Sequence, residues 1–161
     1  MRTIKRRRKE KKTDYAKRIK FLKSEKPRIV FRKTNRYFIA QYVLSEEAKD
    51  KIIFGMNSKQ LLKFGWPKES SNSLKAIPAA YLFGLLFGKN ILDKKLETPI
   101  IDFGMQRVLH KTKLFGFLKG LKDSKMEIEC DEEKFPEEER IKGSSLKNKI
   151  NFEEIKLKIN K

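Results

Sequence analysis

The constraint that bears hardest on how this chain folds is Ala76–Gly88, thirteen residues without a single charge in a sequence whose charged side chains make up 38%. A membrane span needs about 18 or more apolar residues, so the run is expected to form a helix buried inside a protein core. Pro78 fits the first turn of that helix, which should continue to about Leu92. Ala80, Gly84 and Gly88 recur every four residues and form a small stripe that lets a neighbouring element approach closely. Tyr81, Leu82, Leu85, Leu86 and Ile91 supply the bulk around it. In lipid such a stripe marks helix dimerisation; in a short soluble segment the expected neighbour is a sheet.

A sheet is signalled upstream. In Lys26–Leu44 two runs of strand formers, Arg28–Arg32 and Tyr37–Leu44, flank the polar tetrapeptide Lys33-Thr34-Asn35-Arg36, which is a hairpin pattern. After a polar turn, Ser45–Asp50, Lys51–Asn57 reads as a third strand. Ser58 suits the N-cap of a short helix, Lys59–Phe64, with Gly65 at its C-terminal stop. Trp66 reads as a packing anchor and Lys68–Ser73 as a flexible polar loop. Beyond the apolar helix come a strand, Thr98–Phe103, closed by Gly104; a cationic loop, Met105–Lys113; a helix, Leu114–Lys122; and a last short strand, Met126–Glu129. Strands alternating with helices after an initial hairpin predict an α/β layer architecture with a mixed sheet. Asp131–Arg140 turns acidic, and near the end Ile155, Leu157 and Ile159 alternate as in a strand. The expected organisation is a basic arm and short helix over residues 1–26, an α/β core over 27–130, and an acidic segment with a C-terminal extension over 131–161.

Charge narrows the function. The chain holds 40 Lys and Arg against 21 Asp and Glu, a net +19. The first 36 residues alone hold 17 against 3, a surplus of 14. A field this strong repels itself in an isolated fold and points to a polyanion, nucleic acid before membrane. The block Lys5–Lys12 is expected to stay extended or disordered until a partner neutralises it. From Asp14 the residues Tyr15, Ile19, Phe21 and Leu22 have helical spacing, with Lys17, Arg18, Lys20 and Lys23 between them, so a short amphipathic helix should follow and end before Pro27. Arg28, Arg32, Lys33 and Arg36 then crowd the hairpin, with Tyr37, Gln41 and Tyr42 interleaved. Like charges so close cost a hairpin stability. They are most simply explained by phosphates outside the chain, whose displaced counterions supply affinity. Tyr15, Tyr37 and Tyr42 are placed to stack on unpaired bases or to be half-buried core residues. No zinc finger, basic zipper or helix-turn-helix is present to read a major groove, which favours RNA over DNA.

Chemistry is poorly supported. Cys130 and His110 are single, which leaves no internal disulfide and no Cys/His zinc site, and fits a reducing compartment. Met1–Lys12 is basic and no apolar segment follows it, so no secretory leader is expected. Asp102-Phe103-Gly104 spells a kinase magnesium motif, but no glycine-rich phosphate loop or His-Arg-Asp segment accompanies it. A metal-dependent nuclease needs several converging carboxylates, and nothing pairs Asp93, Glu97 or Asp123 with Asp102. Cys130, between Glu129 and Asp131, lacks the electropositive setting of a reactive thiolate. No catalytic residue, metal or cofactor is expected. An RNA chaperone acting apart from larger assemblies remains the competing binding function, and a magnesium-dependent nuclease the competing enzyme.

A set of ordered blocks carries a resemblance. Lys12-Thr13-Asp14-Tyr15-Ala16-Lys17-Arg18 is followed by Lys26-Pro27-Arg28, Arg32-Lys33-Thr34-Asn35-Arg36-Tyr37 and Ala40-Gln41. Then come Phe64-Gly65-Trp66, Pro78-Ala79-Ala80-Tyr81-Leu82 with Gly84, Asp102-Phe103-Gly104, Phe117-Leu118-Lys119-Gly120, Phe135-Pro136 and Glu139-Arg140-Ile141-Lys142-Gly143. Spanning about residues 6–143, they resemble the archaeal–eukaryotic branch of the large-subunit ribosomal protein family that binds 5S rRNA, the eighteenth of the large-subunit series. The resemblance implies a three-layer α/β, ribonuclease-H-like fold of the translational-component type without nuclease activity. It also implies a cytoplasmic, ribosomal location in the central protuberance, bridging 5S rRNA to large-subunit rRNA beside the neighbouring 5S-associated ribosomal protein, with neither membrane nor DNA as partner. Positions matching the family's RNA surface are Arg6, Arg7, Arg8, Lys11, Lys12, Tyr15, Arg18, Arg28, Arg32, Lys33, Asn35, Arg36, Tyr37, Gln41 and Arg107. After Arg107 the family usually has a Thr and a Gly-Ser step, whereas this chain reads Val108-Leu109-His110-Lys111-Thr112-Lys113. His110, Lys111 and Lys113 are added to the RNA set from their own chemistry.

Overall fold

A computed structural model of the chain describes residues 4–10, 12–47, 49–144, 146 and 150–160. Two helices come first, α1 (Arg6–Lys9) and α2 (Tyr15–Lys23). Strands β1 (Arg28–Lys33), β2 (Phe38–Glu46) and β3 (Lys49–Asn57) follow. Then come α3 (Ile77–Asp93), β4 (Ile100–Asp102), α4 (Lys113–Asp123), α5 (Glu138–Lys142) and α6 (Phe152–Asn160). The strands form one open sheet in the order β3-β2-β1-β4. The β1–β2 and β2–β3 pairs are antiparallel and β1–β4 is parallel, so the sheet is mixed. Arg28 pairs with Val43 and Lys33 with Phe38, so the hairpin forms as expected but turns over residues 34–37, one residue later than the tetrapeptide Lys33–Arg36. Between Tyr42–Phe54 and Val43–Ile52 the β3 register slips, leaving Ile53 as an extra, bulged residue on this edge strand.

Alternation sorts the sheet's two faces. Ile29, Phe31, Phe38, Ala40 and Tyr42 point inward and are buried under α3 and α4. The Phe117 ring of α4 stacks on Phe31 with centroids 4.2 Å apart, and Phe87 of α3 stacks on Phe54 at 4.9 Å. Each fully buried ring of this kind contributes roughly 1.5–3 kcal/mol of transfer free energy. On the opposite face α2 lies over β1, sharing a crevice with Arg28, Val30 and Arg32. Helix, sheet and helix pair thus give the three layers expected. The helix α2 buries none of its residues and is positioned by polar contacts, starting with the Asp14 carboxylate, which accepts from the Ala16 and Lys17 N–H groups at 3.1 and 3.3 Å.

Helix α3 is buried continuously from Pro78 to Gly88, as its apolar run demands. Its small stripe, however, faces a helix and not the sheet. A side chain on Gly84 would run into the Phe117 carbonyl of α4, and one on Gly120 of α4 into the Tyr81 carbonyl of α3. Glycine on both partners lets the backbones touch, which is the soluble counterpart of close helix association.

Several local expectations are corrected. Ser58 does not cap a helix: its buried hydroxyl accepts from the Phe38 N–H at 3.0 Å and donates to the Leu74 carbonyl at 2.8 Å, tying β2 to the entry of α3. The segment it opens, Ser58–Phe64, is a 3₁₀ helix that ends at Gly65 with φ 104°. Lys68–Ser73, expected to be a loop, is also 3₁₀, and Trp66 is buried beside it with its indole N–H donating to the Ser70 carbonyl. Met126–Glu129 forms no strand. Ile155, Leu157 and Ile159 lie on a helix, where Phe152, Ile155 and Ile159 are buried and Leu157 is 63% exposed. A spacing of three and four, set by Phe152, wins over the two-residue alternation. These residues, with Phe135 and Ile141, join the same hydrophobic cluster as α3 and α4.

The glycine contact makes opposite predictions for neighbouring sites. Gly84→Ala or Gly120→Ala should destabilise by about 3 kcal/mol or more, because backbone cannot yield as a side chain does. Gly116→Ala, whose new Cβ would meet nothing closer than 3.4 Å, should be neutral or stabilising by roughly 0.5–1 kcal/mol through helix propensity. Thermal unfolding of the three variants checks this, and equal behaviour of Gly84 and Gly116 would refute the close contact.

Candidate nucleic-acid interface

The inward turn of Ile29 and Phe31 forces Arg28 and Arg32 onto the outer face of β1. There each finds a carboxylate of the chain itself. Arg28 is only 5% exposed, and its Nη2 lies 2.6 Å from Asp50 Oδ1 of β3. Asp50 also accepts from the Ser45 hydroxyl at 2.8 Å and pairs with Arg18 of α2 at 3.2 Å. Burial pushes the Asp50 carboxyl up, but the Ser45 hydrogen bond and the Arg28 and Arg18 charges outweigh it and hold the group below the usual carboxylate range. One carboxylate therefore links α2, β1 and β3. The buried Arg28 Nε–H has no hydrogen-bond partner among the described residues.

Arg32 is braced differently. Its Nη1 donates to the Phe31 and Asp102 carbonyls at 2.8 and 2.9 Å, and Nη2 donates to Asp102 Oδ2 at 3.3 Å. Asp102 Oδ1 accepts from the Gly104 N–H at 2.6 Å. Gly104 has φ 63°, and a Cβ there would press on the guanidinium at 3.0 Å. Asp102-Phe103-Gly104 is thus a strand end and turn that seats Arg32. Phe103 meets Phe31 edge-on at 6.0 Å. Among the described residues no group of three or more His, Cys, Asp or Glu side chains is arranged to hold a metal ion. Nor is any helix among them long and apolar enough to cross a membrane.

The arm carries its own ties. Arg8 reaches Asp14 at 3.4 Å, Arg7 donates to the Thr13 hydroxyl at 2.9 Å, and Arg6 and Lys12 both reach Glu10. Lys5 sits over the Tyr15 ring at 4.6 Å. Lys11 lies outside the described residues. Together the arm, α2 and the outer face of β1 enclose a crevice of about 250 Å³ in which Arg7, Lys12, Lys17, Arg18, Arg28 and Arg32 meet Asp14, Asp50 and Asp102. Cations outnumber carboxylates two to one, which is an electrostatic setting for phosphate. Lys17 belongs to this group by its place one helical turn from Asp14, a phase the sequence already carried.

At the hairpin tip Thr34 closes the turn, its hydroxyl donating to the Tyr37 carbonyl and accepting from the Arg36 and Tyr37 N–H groups. This leaves Lys33, Asn35 and Arg36 exposed. Tyr37 is half-buried under Lys59, 4.7 Å from its ring, and Gln41 is half-buried against Gly55. Tyr42 is buried, with its hydroxyl on the Glu97 carbonyl.

Folding also brings the tip to the cationic loop. Lys33, Arg107, Lys111 and Lys113 line one cleft, joined by Arg140 and Gln106, which sequence reasoning did not assign to RNA. Gln106 donates to the Phe31 carbonyl at 3.1 Å and so ties the loop to β1. Burial, followed by the nearby charges of Lys33 and Lys75, lowers the Lys113 ammonium pKa. His110 is not part of this cleft: it stands edge-on to Phe115 at 5.5 Å. Arg140 could be found only from the fold, because it arrives from the acidic segment.

Asp50→Asn should unseat Arg28. Because the carboxylate is partly open to water, the loss should be roughly 1–2 kcal/mol at pH 7. The folded-state pKa of Asp50 lies below an unfolded value of about 3.9, so its contribution is present above about pH 4 and vanishes as pH falls through the folded value. The parent chain should therefore lose its advantage over Asp50→Asn on acidification. Thermal unfolding of both between pH 7 and pH 3 measures this, and a constant gap would contradict it.

The model of the family described as "Ribosomal large subunit proteins 60S L5, and 50S L18" matches residues 1–99. A large ribosomal subunit protein uL18 from Caldivirga maquilingensis is 41% identical over 142 residues, 88% of this chain and 67% of the relative. One from Korarchaeum cryptofilum is 39% identical over 141 residues, 88% of this chain and 70% of the relative. The arm, α2 and strands β1, β2 and β3 lie within the family match, and β4 lies just beyond it. The chain therefore belongs to the family of large-subunit ribosomal proteins 60S L5 and 50S L18, which are cytoplasmic structural constituents of the ribosome and not enzymes.

Proposed function

We propose that the chain binds 5S rRNA and bridges it to large-subunit rRNA in the central protuberance, next to the neighbouring 5S-associated ribosomal protein. The observation that carries this reading is the crevice between α2 and β1, where six cations from the arm, the helix and the strand meet three carboxylates. Asp50 and Asp102 fix Arg18, Arg28 and Arg32 in place, and the net positive charge of the crevice is what attracts phosphate. The exposed hairpin residues Lys33, Asn35 and Arg36 extend that surface, and Arg107, Lys111 and Lys113 carry it round the end of β1. Phosphate contacts of this kind position a folded RNA and carry little base information.

Family membership supports a ribosomal setting, and the charge pattern supports RNA as the partner. Arg28 and Arg32 have a shared structural and binding part in this reading. They are pre-set by Asp50 and Asp102, so a bound phosphate need not order long side chains at its own expense.

A gel-shift with cognate 5S rRNA should show clear preference over an unrelated structured RNA of the same length; equal affinities would overturn the proposal. If about 6–10 phosphates are contacted, affinity should fall by roughly 10³–10⁵ between 50 and 200 mM salt, and a flat response would remove the electrostatic account. Deleting residues 1–12 should weaken binding while the remaining chain still unfolds cooperatively, since α1 buries no residue.

A further inference from the structure

The cleft between the hairpin tip and the 105–113 loop has features that phosphate binding alone does not explain. Its volume is about 440 Å³, within the roughly 300–1,000 Å³ of small-ligand sites. Its rim is cationic, with Lys33, Arg107, Lys111, Lys113 and Arg140. Its lining is also apolar, with Leu114 and Ile77 joined by Leu109, which is 46% exposed. A groove that tracks a phosphate backbone needs no such floor. An aliphatic patch ringed by cations matches a ligand that is flat and apolar at one end and anionic at the other.

The position in the fold adds to this. The cleft opens at the first turn of α4, an eleven-residue helix whose N-terminus has no side-chain cap. Thr112, in the capping position, turns its hydroxyl to the Leu109 carbonyl instead, at 2.7 Å. The free N–H groups of that turn add positive potential beside Lys113. The rim pair Lys111–Glu137 is exposed and 3.5 Å apart, worth little in water and readily exchanged for a phosphate.

We propose that this cleft seats one unstacked nucleotide of the bound RNA, its base against Ile77, Leu109 and Leu114 and its phosphate between Lys33, Lys113 and the start of α4. A paired nucleotide keeps its faces stacked inside the helix, so only an unpaired one can present a base to Leu109. The planar guanidinium groups of Arg107 and Arg140 are suited to lie on such a base. The inference rests on the RNA-binding reading above and goes beyond it by giving one site a base.

The test is zero-length ultraviolet cross-linking of the full chain to 5S rRNA and to an unrelated structured RNA, with adducts located by mass spectrometry. Adducts should fall within residues 105–114 and join an unpaired nucleotide. Leu109→Asp, at an exposed site that does not endanger folding, should abolish them while adducts to the arm persist. Arm adducts without cleft adducts, cleft adducts to paired nucleotides, or cleft adducts that survive Leu109→Asp would overturn the proposal and leave the 5S reading standing. Cleft adducts on both RNAs without preference for 5S rRNA would support the cleft and overturn the 5S reading. No binding to either RNA would overturn both.

Discussion

Two helices pressed together until their backbones touch set the geometry of the rest of the chain. Gly84 of α3 lies against the Phe117 carbonyl, and Gly120 of α4 lies against the Tyr81 carbonyl. Neither approach survives an added methyl group. Because α4 is drawn this close, Phe117 reaches across to stack on Phe31, and the inner face of the sheet closes over α3. The consequence for function is indirect but firm. With Ile29 and Phe31 committed inward, Arg28 and Arg32 must face outward, and the start of α4 is fixed beside the hairpin tip.

The second constraint is charge. A net +19 chain cannot leave all its cations unopposed near one another. The fold answers by spending a few carboxylates at chosen points. Asp14 caps α2 and holds Arg8; Asp50 joins Arg28 to Arg18; Asp102 seats Arg32. Asp50 and Asp102 also hold guanidinium groups, those of Arg18, Arg28 and Arg32, at the crevice under α2. Lys33 and Arg36 at the hairpin tip and Arg107 and Lys111 on the loop are exposed. Held and exposed cations lie on adjoining surfaces, so one partner can engage both.

Much of this was legible in the residues because it depends on short-range periodicity. The hairpin, the third strand, Asp14 as the start of α2 and the buried course of α3 follow from spacing and turn chemistry. What escaped depends on distant neighbours. Ser58 looks like a helix cap until Phe38 and Leu74 are brought beside it, and a small stripe cannot say whether a sheet or a helix fills it. Ile155, Leu157 and Ile159 fit a strand until Phe152 extends the pattern to helical spacing. In the site, the cations were legible and their partners were not. Asp50 and Asp102 come from other strands, 22 and 70 residues away from Arg28 and Arg32. Arg140 arrives from a segment whose composition is acidic, and His110 leaves the cationic loop for Phe115.

The molecule divides into a side that holds the fold and a side that meets RNA. Amide hydrogen exchange of the full chain, alone and bound to 5S rRNA, tests that division most directly. Exchange should slow over residues 5–23, 33–37 and 105–113 on binding, with no change over α6, residues 152–160. Protection gained over 152–160, with none over 5–23, would contradict it.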